Sequence, residues 1–221
     1  MNKLKRIYMI FMLIILMGVC GCMNTYSPEK IVEEFNQKYD DEFTVVATDT
    51  GTWREDHADM VLKSQKLNSN IVVWIYEDGK VIDNYVAVKY KNEVEQKVKP
   101  LIEKVYGKCV IKNLPINEGS SDFYPKMTLS EYMSNVSSMI YIGVATNRNK
   151  STYKEDTKKV VDLFKENNII ADLDICHYTD VKDVKINEES GKLFKPMPPI
   201  ENRIKVYVQS DYSIDYILAT E

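Results

Sequence analysis

The densest group of residues able to do chemistry is Trp53-Arg54-Glu55-Asp56-His57-Ala58-Asp59. Asp56, His57 and Asp59 offer the oxygen and imidazole donors that can hold a divalent cation, and a histidine beside an acid is the pair a general base needs. Trp53 adds an aromatic face next to them. Neither chemistry is complete, because no nucleophile and no further ligand follow at readable spacing. The chain has only two histidines, His57 and His177, so a two-histidine metal site would draw one from each half. Trp53, Asp56, His57 and Asp59 are therefore read as a candidate binding group on a polar loop. No metal, cofactor or catalytic residue is assigned. The phosphate-cradling glycine loops, the G-x-S-x-G elbow and the H-E-x-x-H zinc pair do not occur in the sequence.

Two further constellations are adjacent in sequence. Cys176 and His177 are neighbours on a predicted strand, so they point to opposite faces and do not form a thiol–imidazole dyad. Asp172 and Asp174 share a face about 7 Å apart by strand rise. Paired acids can do glycosidase-like work, but a solvated sheet face is the simpler reading. The 15 tyrosines are read as scattered surface residues, with carbohydrate stacking as the sharper alternative.

The elements that must position these residues follow from period and punctuation. Ser27-Pro28-Glu29 is a helix start, and Ile31, Val32, Phe35 and Tyr39 share one face, so a helix spans 28–39. Phe43, Val45 and Ala47 alternate as a strand. Met60 and Leu62 mark a second strand, Ile71–Glu77 a third that is covered on both faces, and Asp78-Gly79 a tight turn into a fourth over Val81–Tyr90. Val94, Val98, Leu101, Ile102 and Val105 stripe a helix over 93–106, with Asn92 and Glu95 as its cap and Pro100 as a kink. In the second half, Thr128 and Glu131 cap a helical turn, Met139–Thr146 is a strand, and Thr152 and Glu155 cap a striped helix. Ala171, Leu173 and Ile175 alternate with Asp172 and Asp174, and Ile204, Val206 and Val208 form a last strand. By the same parity Cys109 faces inward and Cys176 outward, which argues for two thiols rather than a bridge.

This pattern predicts an α+β fold, mostly antiparallel sheet with amphipathic helices packed on one face. The helix and strand order of the halves suggests two tandem units. The predicted divisions are a leader over 1–21, a tether over 22–27, a first unit over 28–114, a linker over 115–127 and a second unit over 128–221.

The N-terminus sets the expected address. Lys3, Lys5 and Arg6 precede an apolar run from Ile7 to about Met17, which ends in Val19-Cys20-Gly21-Cys22. A basic head, a short apolar middle and small residues before a cut are the marks of a secretory signal, and the run is shorter than the roughly 20 residues a spanning helix needs. The last four residues resemble the lipobox of bacterial membrane lipoproteins. The resemblance implies cleavage before Cys22 and a diacylglycerol on it, and a two-chain anchor holds a membrane stably. The segment before Cys22 has three basic residues and no acid, so the net charge of −4 becomes −7 once it is removed. An acidic, well-mixed chain of this kind argues against a nucleic-acid partner. The expectation is an extracytoplasmic protein tethered to the cell membrane by its lipid, a non-enzymatic binding or envelope-associated module. The rivals are a hydrolase with distant acids and a solute-capturing lipoprotein.

Overall fold

Ser27 starts the first helix as its type requires, accepting a hydrogen bond from the Lys30 amide ahead of Pro28. The computed structural model describes residues 27–49, 57–114, 126–178 and 200–219. Helix α1 (Pro28–Tyr39) ends at Asp40 in the left-handed region and buries Ile31, Phe35 and Tyr39. Strands β1 (Phe43–Asp49), β2 (His57–Ser64), β3 (Ser69–Tyr76) and β4 (Val81–Asp83) then form an antiparallel meander in that order. Short helix α2 (Tyr85–Lys89) leads into α3 (Lys91–Tyr106). Strand β5 (Val110–Leu114), helix α4 (Leu129–Ser134), β6 (Tyr141–Thr146), α5 (Tyr153–Glu166), β7 (Asp172–Tyr178), β8 (Ile200–Val208) and β9 (Ile214–Ala219) complete the chain. The second sheet has the order β5-β6-β7-β8-β9. Only β6 and β7 are parallel, joined across α5.

The α+β class holds, with both sheets mostly antiparallel. One hydrophobic core runs through both, from Ile31, Leu62 and Ile71 to Val144, Phe164, Leu173 and Ile204. Helices α3 and α5 pack on one another within it. Strand β5 moves the expected division, because it pairs with β6 and is the edge of the second sheet. Residues 115–125, most of the expected linker, and the tether up to residue 26 lie outside the described residues.

Several local expectations change for identifiable reasons. The alternation of β1 fails at a bulge between Val45 and Ala47. The extra residue slips the register by one, leaves Thr48 opposite Met60, and leaves Val45 and Val46 44% and 55% exposed. On β3 only Ile71 and Val73 are buried, while Val72 and Trp74 on the other face are half-buried. The hairpin at Asp78-Gly79 forms, but Gly79 alone has positive φ, at 86°. Its amide bonds the Tyr76 carbonyl and Lys80 pairs with Tyr76, so the loop has three residues rather than two. Strand β4 ends at Asp83 because two side chains take over backbone bonds. The Val72 amide donates to Asn84 Oδ1 at 2.8 Å, and the Tyr85 amide donates to Asp83 Oδ1 at 2.9 Å.

The expected caps at Asn92 and Thr152 do not form. Helix α3 starts two residues earlier, with its Val94 amide bonded to the Tyr90 carbonyl of the preceding turn. The Thr152 hydroxyl donates to Asp156 instead of capping backbone. Pro100 does not break α3. Both Pro100 and Gln96, whose carbonyl loses its intrahelical donor, are exposed, so water can serve that oxygen. The capping box at Thr128 and Glu131 forms in full.

Candidate functional site

Of the predicted binding group, Trp53 and Asp56 lie outside the described residues. His57 and Asp59 lie on β2, not on a loop. They are two apart and share the outer face of the first sheet. His57 Nε2 approaches Asp59 Oδ1 to 3.4 Å, a contact that lacks hydrogen-bond geometry. The β2–β3 register sets Tyr76 opposite His57 and Trp74 opposite Asp59. The His57 and Tyr76 rings lie 5.3 Å apart at 43°. The structure thus makes an aromatic strand face where the sequence suggested a charged loop. The alternation of Val72, Trp74 and Tyr76 was the available signal for it. Among the described residues no three His, Cys, Asp or Glu side chains converge as a metal site.

The solvated face expected for Asp172 and Asp174 is overturned. Asp174 is 0% exposed, and Cys176, expected to face solvent, is 1% exposed. Arg203, opposite Cys176 on β8, forks onto Asp174 with Nε–Oδ1 at 3.0 Å and Nη2–Oδ2 at 2.6 Å. The Cys176 thiol lies 3.9 Å from Asp174 Oδ1. Burial, then the charge of Asp174 and a hydrogen bond to it, push the Tyr141 hydroxyl far above its usual range. The hydrogen bond to Asp174 likewise holds the Arg203 guanidinium firmly charged. These groups form a clamp between β7 and β8, and a carboxylate forked by arginine is not available as a general acid. Cys109 and Cys176 are not joined by a disulfide.

The first sheet has its own acid network at its junction with α1 and α2. Asp83 accepts from the Tyr39 hydroxyl through both oxygens at 2.8 Å and from Lys38 Nζ at 2.9 Å. Tyr39 stacks on Tyr85 with centroids 4.0 Å apart. Asp41 accepts from Ser64 Oγ at 2.5 Å, the Lys66 amide at 3.0 Å and the Tyr85 hydroxyl at 3.3 Å. Burial pushes the Asp41 carboxyl up, but these donors together outweigh it and hold it below the usual carboxylate range.

Asp172 behaves in the opposite way. Its Oδ1 accepts the Val208 amide at 2.8 Å. Burial pushes its carboxyl up, and that single amide opposes the shift without cancelling it. Asp172 lies in a cavity of about 180 Å³ at the end of the second sheet, lined also by Val136, Met139, Ile140, Ile170 and Tyr207. Val136 and Met139 are 45% and 49% exposed on its rim. The rim is built by a tight turn. Asn135 Oδ1 accepts the Ser137 amide at 2.9 Å, Ser138 Oγ donates to the Tyr132 carbonyl at 2.6 Å, and Met139 takes a left-handed backbone with φ 46°. Two backbone bonds tie this turn to the sheet, Ile170 amide to Met133 carbonyl and Asp172 amide to Ile140 carbonyl, each 2.8 Å. The sequence reading missed this site. Alternation along β7 sets Asp172 and Asp174 on one solvated face, and the strand expected over Met139–Thr146 begins only at Tyr141, which leaves Met139 to the turn.

No family model, curated protein or solved structure matches the chain. Among the described residues, no helix is long and apolar enough to cross a membrane.

Proposed function

We propose that the protein is a lipid-anchored extracytoplasmic binding module, held to the cell membrane through Cys22 and acting by recognition rather than by catalysis. The observation that carries the recognition half is the groove around Asp172. A preformed turn there presents apolar side chains to solvent around one under-bonded carboxyl, which is the composition of a binding site. The basic, apolar and Val19-Cys20-Gly21-Cys22 segments support the anchoring half. The paired-acid arrangement of a hydrolase is disfavoured at Asp172, because its neighbour Asp174 is engaged by Arg203. At about 180 Å³ the Asp172 groove is below the ~300–1,000 Å³ of small-molecule sites, so this groove suits a single side chain better than a whole solute.

The anchoring half is tested by Cys22→Ala in a bacterial host fed labelled fatty acid. The wild-type chain is expected to take up label and sediment with membranes, and the variant to do neither. Label retained by Cys22→Ala would move the lipid site to Cys20, and no label on the wild-type chain would overturn the anchor.

A further inference from the structure

We propose that the Asp172 groove recognises a lysine side chain presented by a partner protein, with the ammonium on Asp172 and the alkyl stem along Met139, Val136 and Ile170. The inference rests on the binding-module reading and names its partner's chemistry. Three observations lead to it.

The first is size. About 180 Å³ accommodates one long side chain and not a drug-sized ligand. The second is charge. The groove has mainly apolar walls, with Tyr207 and Gln209 at one side, and one carboxyl, whose bonding consists of the Val208 amide on Oδ1. An arriving cation supplies a charged partner to this half-buried carboxyl. The acidic net charge of the chain, −4, favours a basic partner in the same sense. The Val208 amide occupies one acceptor site of Oδ1, so a forked guanidinium would have to share that oxygen with the amide, whereas the point charge of an ammonium can sit on Oδ2 alone. A guanidinium is best met by two parallel acceptors. The third is the rim. Val136 and Met139 stand exposed on a turn already fixed by the Ser137, Ser138, Ile170 and Asp172 bonds. An apolar rim on a preorganised turn is what a protein surface can cover at low ordering cost. A free amine would leave it in water.

The test uses the full chain carrying methyl-labelled methionine, purified from whichever cell fraction holds it. The Met139 methyl resonance, assigned by its loss in Met139→Leu, is followed by nuclear magnetic resonance. The probe is acetyl-Leu-Lys-Leu-amide. It is compared with the same peptide bearing ε-acetyl-lysine, the same peptide with arginine, and butylammonium. The lysine peptide is expected to shift the Met139 signal and to bind at least tenfold more tightly than each of the other three. Asp172→Asn keeps an oxygen for the Val208 amide, and it should weaken the lysine peptide by at least tenfold. Should that variant fail to fold, Val136→Ser leaves Asp172 in place and removes apolar rim without adding charge, with a several-fold loss expected.

Equal binding of the acetylated peptide would overturn the charge argument. Equal binding of the arginine peptide would overturn the single-oxygen argument, and equal binding of butylammonium would replace the partner protein with a free amine. No shift with any probe would remove lysine recognition. It would leave untouched the anchoring through Cys22, which is read by membrane sedimentation and not by this titration.

Discussion

The two sheets handle their outer faces differently. The first buries Met60, Leu62, Ile71 and Val73 in the core on one side, while on its other side His57, Asp59, Val72 and Trp74 are half-buried and its edge strand β1 is exposed beyond Phe43. The second is buried on both faces through its central strand β7, where Leu173 and Ile175 face the helices and Asp174 and Cys176 are equally enclosed. Both sheets bury acids, but with different numbers of donors. Asp83 collects the Tyr39 hydroxyl, the Tyr85 amide and the Lys38 ammonium, and Asp41 collects neutral donors only, whereas Asp174 depends chiefly on Arg203. A network with many donors tolerates the loss of one, and a network dominated by one cation does not.

The sharpest test of this contrast is Arg203→Ala, which leaves Asp174 buried beside a thiol and a phenol. A loss of about 3–5 kcal/mol in urea unfolding is expected. Replacing both partners at once, Asp174→Leu with Arg203→Met, should restore most of it, because the desolvated charge is gone. A loss under ~1 kcal/mol for Arg203→Ala would mean that water reaches Asp174 and that the second sheet is one-faced like the first.

In the first sheet, Gly79→Val should lower stability by more than the roughly 1 kcal/mol scale of a glycine substitution, because a β-branched residue resists the φ of 86° found there. An unchanged melting temperature would show that this turn does not set the β3–β4 register. Tyr39→Phe removes the hydroxyl between the two Asp83 oxygens but leaves Lys38 Nζ and the Tyr85 amide in place. A loss of about 1 kcal/mol is expected. A loss as large as that of Arg203→Ala would erase the distinction between the networks.

A smaller effect separates the two sheets by acid. The folded Asp41 carboxyl is held below its unfolded value, so its stabilisation is present above that value and is lost as pH falls through the folded one. The folded Asp172 carboxyl is raised, so its contribution runs the other way and declines as pH rises from the unfolded value through the folded one. Denaturation followed from pH 7 to 3 should therefore be less steep in Asp41→Asn and steeper in Asp172→Asn. Identical slopes in both variants would reject the opposite signs. The least effect is expected at the open edge, where Val46→Lys on β1 should change stability by no more than about 0.5 kcal/mol.

Local rules carried much of the secondary structure. Ser27 with Pro28, Thr128 with Glu131 and the stripes of α3 and α5 were legible because each depends on residues within a turn or two of one another. The second candidate site was not legible in this way. Asp172 and Asp174 look alike on a strand, yet one is forked by an arginine 29 residues later and the other meets a single amide 36 residues later.

By itself, the sequence determined the α+β class, the helices capped by their own neighbours, the hairpin at Asp78-Gly79 and the lipobox-like segment, each a matter of short-range period or spacing. Only the tertiary structure decided which sheet β5 joins, that Asp174 is buried, and that Val136, Met139 and Asp172 share one groove. Those outcomes depend on pairing between strands far apart in the chain, and alternation along one strand does not specify what will cover its second face.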